Sequence, residues 1–153
     1  GFKTLLQADS DVVDVTGTSV DASNVITELN KVIDAIPSGV YGSDDLTLYV
    51  STSIAKAYIQ AQAALGYREL YNVGQTEMNY QGIPMFVTSG LNTNNAVAAR
   101  KSSLFFGTGL LDDRNEVKVI DMADLDGSQN VRVVMRYTAG VQTGVGSDIV
   151  LYS

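Results

Sequence analysis

Two stretches of the chain place apolar residues at helical intervals, and several shorter ones alternate or run continuously apolar. Within residues 23–36, Ile26, Leu29, Ile33 and Ile36 recur three or four positions apart and Val25 and Val32 widen the stripe. This predicts a helix with Ser23 as N-cap and Pro37, Ser38 and Gly39 as its stop. A second helix is expected over residues 53–65, where Ile54, Tyr58, Ala61 and Leu65 line one face. Ser51 or Ser53 can cap it, and Gly66 can end it. Between the two, a polar turn at 42–45 precedes Leu46, Thr47, Leu48, Tyr49 and Val50, a β-branched, aromatic and aliphatic run typical of a buried strand.

Further along, residues 83–88 read as a strand with Pro84 near its start, where a missing ladder donor matters least. Leu104, Phe105 and Phe106 form a short apolar strand, and residues 116–119 and 131–137 alternate. In the latter, Val131, Val133, Met135 and Tyr137 share a face expected to be the inner one, with Arg132 and Arg136 opposite. Residues 124–130 supply the hairpin turn between these two strands, and 148–152 a final strand. Residues 1–22 show no sustained period and are expected to be an extended arm or linker with a short strand at 12–15. The pattern predicts an α+β domain over 23–153, a mixed sheet with two principal helices and a C-terminal strand-rich part.

Composition narrows the chemistry. The 153 residues contain no His and no Cys, so an imidazole base, a Ser-His-Asp triad, a thiolate nucleophile and a Cys- or His-ligated metal cannot be built from them. Neither a cofactor nor an enzymatic activity is expected. The net charge of −7 argues against nucleic-acid binding, which needs cations to displace the counterions of phosphate. The acidity is uneven, with eight carboxylates against Lys3 and Lys31 in residues 1–45. No apolar run reaches the roughly 20 residues that span a bilayer, so no membrane partner is expected.

Three motifs invite chemistry and fail on spacing. Asp121, Asp124 and Asp126 precede Gly127, but placing Gly127 at the sixth position of a calcium loop puts Met122 first and Val133 twelfth, where carboxylates belong. The glycines at 140, 144 and 146 fit neither nucleotide-binding fingerprint and read as a connecting loop. Asp112 with Asp113, and Asp44 with Asp45, are adjacent pairs whose side chains diverge rather than face each other across a cleft. Eight tyrosines without a tryptophan are better suited to packing between subunits. Tyr49, Tyr58 and Tyr137 fall at core-facing positions, whereas Tyr41, Tyr67, Tyr71 and Tyr80 lie in or beside loops and are interface candidates.

The order of segments then matters more than any one of them. Residues 25–37, 44–51 and 80–87, followed by 101–108, 112–116 and 131–142, resemble in succession the outer portion of the major capsid proteins of tailed double-stranded DNA bacteriophages and prophages, especially those of Bacteroidetes-type hosts. The resemblance covers about residues 23–152 and implies the axial-domain portion of the capsid fold, followed by C-terminal strands returning to the peripheral domain. Encapsulin shells share that fold. The family's N-terminal arm, long spine helix and extended loop have no counterpart here and are expected upstream. No cross-linking residue is carried over.

What the resemblance implies is a structural subunit that self-assembles into an icosahedral shell. Its partners would be copies of itself, with scaffolding, protease and portal proteins, in a virion capsid assembled in the bacterial cytoplasm. Polar, turn-rich loops on a rigid scaffold commonly carry recognition. The candidate subunit-interface residues are therefore Tyr67, Tyr71, Asn72 and Gln75 in the loop at 67–79, and Asn92, Asn94 and Asn95 in the turn at 92–95. The competing reading is a carbohydrate- or surface-binding module of a secreted bacterial protein, using Tyr and Asn in loops.

Overall fold

The structure is a computed structural model and describes residues 1–66, 78–109, 117–123, 127, 129–135 and 138–153. The chain divides into two compact units, one of Gly1–Leu104 with Thr143–Ser153 and one of Phe105–Gln142.

The first unit is built on a six-stranded mixed sheet. Its strands are β1 (Val13–Val15), β2 (Leu46–Ser51), β3 (Met78–Tyr80), β4 (Ile83–Thr88) and β5 (Ala96–Arg100), with a final strand, Val150–Tyr152, called β10 below. Across the sheet the order is β1-β10-β5-β2-β4-β3. β1 runs parallel to β10 and β2 parallel to β4, while β10–β5, β5–β2 and β4–β3 are antiparallel. The β3–β4 hairpin turns in two residues, Gln81 and Gly82, both at positive φ (50° and 82°), the geometry whose twist matches the flanking strands.

Two helices, α2 (Val25–Asp34) and α3 (Thr52–Ala64), cover one face of this sheet. Leu29, Val32 and Ile33 of α2 and Ile54, Tyr58 and Ala61 of α3 bury against Leu46, Leu48, Val50, Met85, Ala98 and Val150, the alternate positions of four strands. The other face is covered over its β10–β5 half, where Leu6 of helix α1 (Phe2–Ala8) packs with Val12, Val97, Ala99, Ile149 and Leu151.

Both principal helices lie where the apolar spacing places them, α2 shorter by two residues at each end and α3 shifted by one residue. Ser23 does not cap α2: Asn24 holds that position, and the Asp21 carboxylate accepts from the Ser23 and Asn24 amides at 2.7 and 3.1 Å. The Val25 amide, which a Ser23 cap would serve, donates to the Asp21 carbonyl at 3.0 Å. Ser51 occupies the α3 N-cap, and Gly66 ends that helix at φ +74° with its amide on Ala63 O.

The segment 1–22 carries the expected short strand as β1 but also a helix, α1, whose Leu6 is buried in the core. Strand β5 is a further difference. Its Ala-rich sequence has little β-propensity, but it lies between α2 and α3 on one side and α1 on the other, where small side chains let both layers approach. The final strand begins at Val150 rather than 148, after a 3-10 turn at Gly146–Asp148.

The second unit holds the hairpin β7 (Val117–Asp121) with β8 (Val131–Met135), and the pair β6 (Leu104–Thr108) with β9 (Ala139–Thr143), each of whose outermost residue belongs to the first unit. β9 falls within the stretch expected to be a glycine loop. The face of Val131, Val133 and Met135, expected inward, is exposed, Val133 by 64%. A two-stranded hairpin has only one partner strand, so alternation here marks a strand without marking a core.

Candidate assembly surface

The described residues contain no cluster of three or more acidic, His or Cys side chains able to hold a metal. What the structure offers is surface, laid over a small number of buried polar anchors.

Glu28 is the centre of one. It sits on the sheet-facing side of α2, only 6% exposed, because its carboxylate is satisfied from three directions. Oε2 accepts from the Tyr152 hydroxyl at 2.7 Å, Oε1 from Thr18 Oγ1 at 3.2 Å, and Lys31 Nζ lies 2.8 Å from Oε1. The Lys31 hydrogen bond, and after it that of Tyr152, holds the Glu28 carboxyl below the usual range. Tyr152 is correspondingly pushed up to about 12, first by burial and then by the carboxylate it donates to. Its ring lies so close to Gly17 that a Cβ there would overlap Cζ of the tyrosine. One buried acid therefore ties α2, the segment after β1 and the final strand together.

Asn95 is a second anchor. Its side chain is 6% exposed, Nδ2 donates to Tyr152 O at 3.2 Å, and Oδ1 accepts from Lys3 Nζ at 3.0 Å. Its side-chain polar groups are thus spent inside the fold. Asn94 stands at φ +62° with its amide on Ser53 Oγ, partly buried, and Asn92 is exposed. Tyr67, Tyr71, Asn72 and Gln75 lie outside the described residues, as does Tyr137.

Of the remaining tyrosines, Tyr80 is buried rather than at the surface. Its hydroxyl lies 2.6 Å from Asn30 Oδ1 and its ring packs edge-on to Tyr58 at 5.7 Å. Tyr58 is buried as expected. Tyr49 is half-buried, meeting Phe86 edge-on at 6.0 Å on the face opposite α2 and α3. Tyr41 is exposed beside an open groove of about 330 Å³ that Asp44, Gln81 and Pro84 help to line. The groove holds one aromatic ring and no opposed pair of carboxylates.

Sequence reasoning missed Phe86, the most exposed ring of the first unit's sheet at 58%. Its strand was legible, but which of its faces lacks a cover depends on where α1 ends.

No family model matches the chain, and no curated protein matches it by sequence. Solved structures do. A chain from Mycobacterium phage Che8 superposes with a TM-score of 0.71 at 15% identity, over 99% of this chain and 60% of that one. A chain of the virus-like particle from Pyrococcus furiosus superposes with a TM-score of 0.61 at 10% identity, again over 99% and 60%. The fold is therefore capsid-like, a mixed α/β arrangement of three helices and a mixed sheet among the described residues. The chain spans about 60% of the length of these structures.

Proposed function

We propose that this chain is the axial-domain part of a tailed-phage major capsid protein, a structural subunit that assembles with copies of itself into an icosahedral shell. The observation that carries the reading is the superposition of 99% of the chain on a phage chain, with a particle-forming chain also matched. Fold likeness at this identity does not carry function by itself. It is joined here by the absence of His and Cys and by the ordered resemblance of segments. In this reading the C-terminal strands return toward a peripheral domain, and the turn at 92–95 and the loop at 67–79 face neighbouring copies. The protein is not an enzyme, its place is the virion capsid after assembly in the bacterial cytoplasm, and scaffolding, protease and portal proteins are its further partners.

The test is to express the complete gene product alone and with its neighbouring genes, and to look for particles by electron microscopy and sedimentation. Closed shells of uniform size are expected. A protein that stays small under all these conditions but binds glycan arrays would overturn the proposal in favour of a surface-binding module.

A further inference from the structure

The open groove of about 330 Å³ beside Tyr41 gathers polar groups that the fold leaves without partners. Leu46 and Ile83 are buried beneath it, while Pro84 and the Tyr41 ring, 50% exposed, lie open along it. Asp44 lines it as well, exposed and with no hydrogen bond or ion pair to any described residue, whereas its neighbour Asp45 accepts from the Ser102 amide and hydroxyl. Gln81 gives one amide proton to Asn30 Oδ1 at 2.8 Å and keeps its carbonyl oxygen as an acceptor.

These groups select a ligand by sign and by shape. An ionised carboxylate and an amide carbonyl only accept, and the face of an exposed tyrosine ring attracts a cation. A bare metal ion does not fit, because calcium takes about six or more oxygen ligands and the groove offers a single carboxylate. A flat cation with several donors on an apolar stem does fit. An arginine side chain can set its guanidinium against Asp44, the Gln81 carbonyl and the Tyr41 ring while its methylenes lie along Pro84.

Resting on the shell reading, we infer that this groove receives Arg132 from a second copy of the chain. Of the two arginines among the described residues, Arg100 is held by Asp148 at 2.6 Å, whereas Arg132 is exposed and makes no ion pair with a described residue. The β7–β8 register places Arg132 with Lys118, Ile120 and Val134 on a face that carries no carboxylate. Charge complementarity decides for a second copy. Eight of the 17 acidic residues lie within residues 1–45, the stretch that ends on Asp44 and Asp45, and eight of the ten basic residues follow it. Two chains of net −7 repel unless a cationic part of one meets an acidic part of the other, and Arg132 in the Asp44 groove does so. Groove and hairpin are unlike surfaces on different units, so the contact is head-to-tail, the type that closes into rings when the rotation allows. One exposed pair is weak, and it holds only where symmetry repeats it.

The test exchanges the two charges in the complete gene product. Asp44→Arg and Arg132→Asp should each lower particle yield by about tenfold, and the double variant should recover it. The unfolding midpoint of the purified subunit should stay the same in all three, since both side chains are exposed. Asp44→Asn, which keeps the shape and removes the charge, should lower the yield in the same direction and carries the test if Asp44→Arg disturbs the turn. Arg132→Lys, which keeps the charge and loses the flat fork, should retain only part of the yield. Single variants that assemble normally overturn the inference and leave the shell reading standing. A loss at Asp44 that Arg132→Asp neither matches nor rescues overturns it too, and assigns the groove to a different cation. Unmodified protein that forms no particle removes the shell reading, and this inference with it, before any substitution is made.

Discussion

Replacing Glu28 with alanine withdraws one acceptor from Tyr152, Thr18 and Lys31 together. The Lys31 ammonium returns to water, because its side chain is 45% exposed, and its loss weighs little. The Tyr152 hydroxyl cannot do the same. It is left with the Thr18 backbone at 3.2 and 3.3 Å, in a site where the tyrosine is 1% exposed. A hydrogen bond to a charged acceptor is worth about 1.5–3 kcal/mol, and the small void left by the side chain adds to that, so Glu28→Ala should lose about 2–4 kcal/mol. At about 2–4 °C per kcal/mol for a chain of this size, the melting midpoint should fall by about 5–15 °C. Tyr152→Phe keeps the ring against Gly17 and removes only the hydroxyl, for about 1.5–3 kcal/mol. The double variant should lose less than the sum of the two by about 1 kcal/mol or more, read by urea unfolding followed with circular dichroism. Losses that add to within about 0.3 kcal/mol would refute the coupling and the role given to Glu28.

The same pair sets a pH dependence. Glu28 is held below its unfolded value, so its contribution is present above about pH 4.3 and is lost as pH falls through the lowered folded value; Glu28→Gln should flatten this acid limb in unfolding titrations. Tyr152 is raised to about 12, so its contribution is intact below about pH 10 and is lost as pH rises from there toward 12; Tyr152→Phe should remove the alkaline loss. Gly17→Ala drives a methyl group into the Tyr152 ring and should destabilise by about 1–3 kcal/mol in thermal unfolding, and a neutral result would contradict the packing described. Asn92→Glu and Asn95→Ala should separate surface from anchor. The first lowers particle yield with an unchanged stability, while the second lowers the unfolding free energy by about 1–3 kcal/mol by unpairing buried groups.

The two principal helices and strands β2 and β4 were legible because each carries enough apolar residues for its period to show. Helix α1 was not, since its seven residues hold one buried anchor, Leu6, and a single buried position has no period. β5 was hidden for a different reason: alanine suits a helix at least as well as a strand, and only the two layers pressing on it favour the strand. The burial of Asn95 and Tyr80 was not legible, because a polar side chain beside a turn has the same appearance in sequence whether its partner is water or, as here, Tyr152 O and Asn30. Glu28 was invisible as an anchor, since its decisive partner lies 124 residues away.

The position of β10 has a consequence for how the molecule comes into being. It is the last of the sheet's strands to be synthesised, yet it stands between β1 and β5 and pairs with both. Until residues 150–152 leave the ribosome, β1 has no place in the sheet and β5 presents a bare edge. Contacts closed over such separations form slowly. Before then only β5, β2, β4 and β3 can pair under α2 and α3, Glu28 lacks its tyrosine, and the same late strand that completes the sheet also fixes β1 in it.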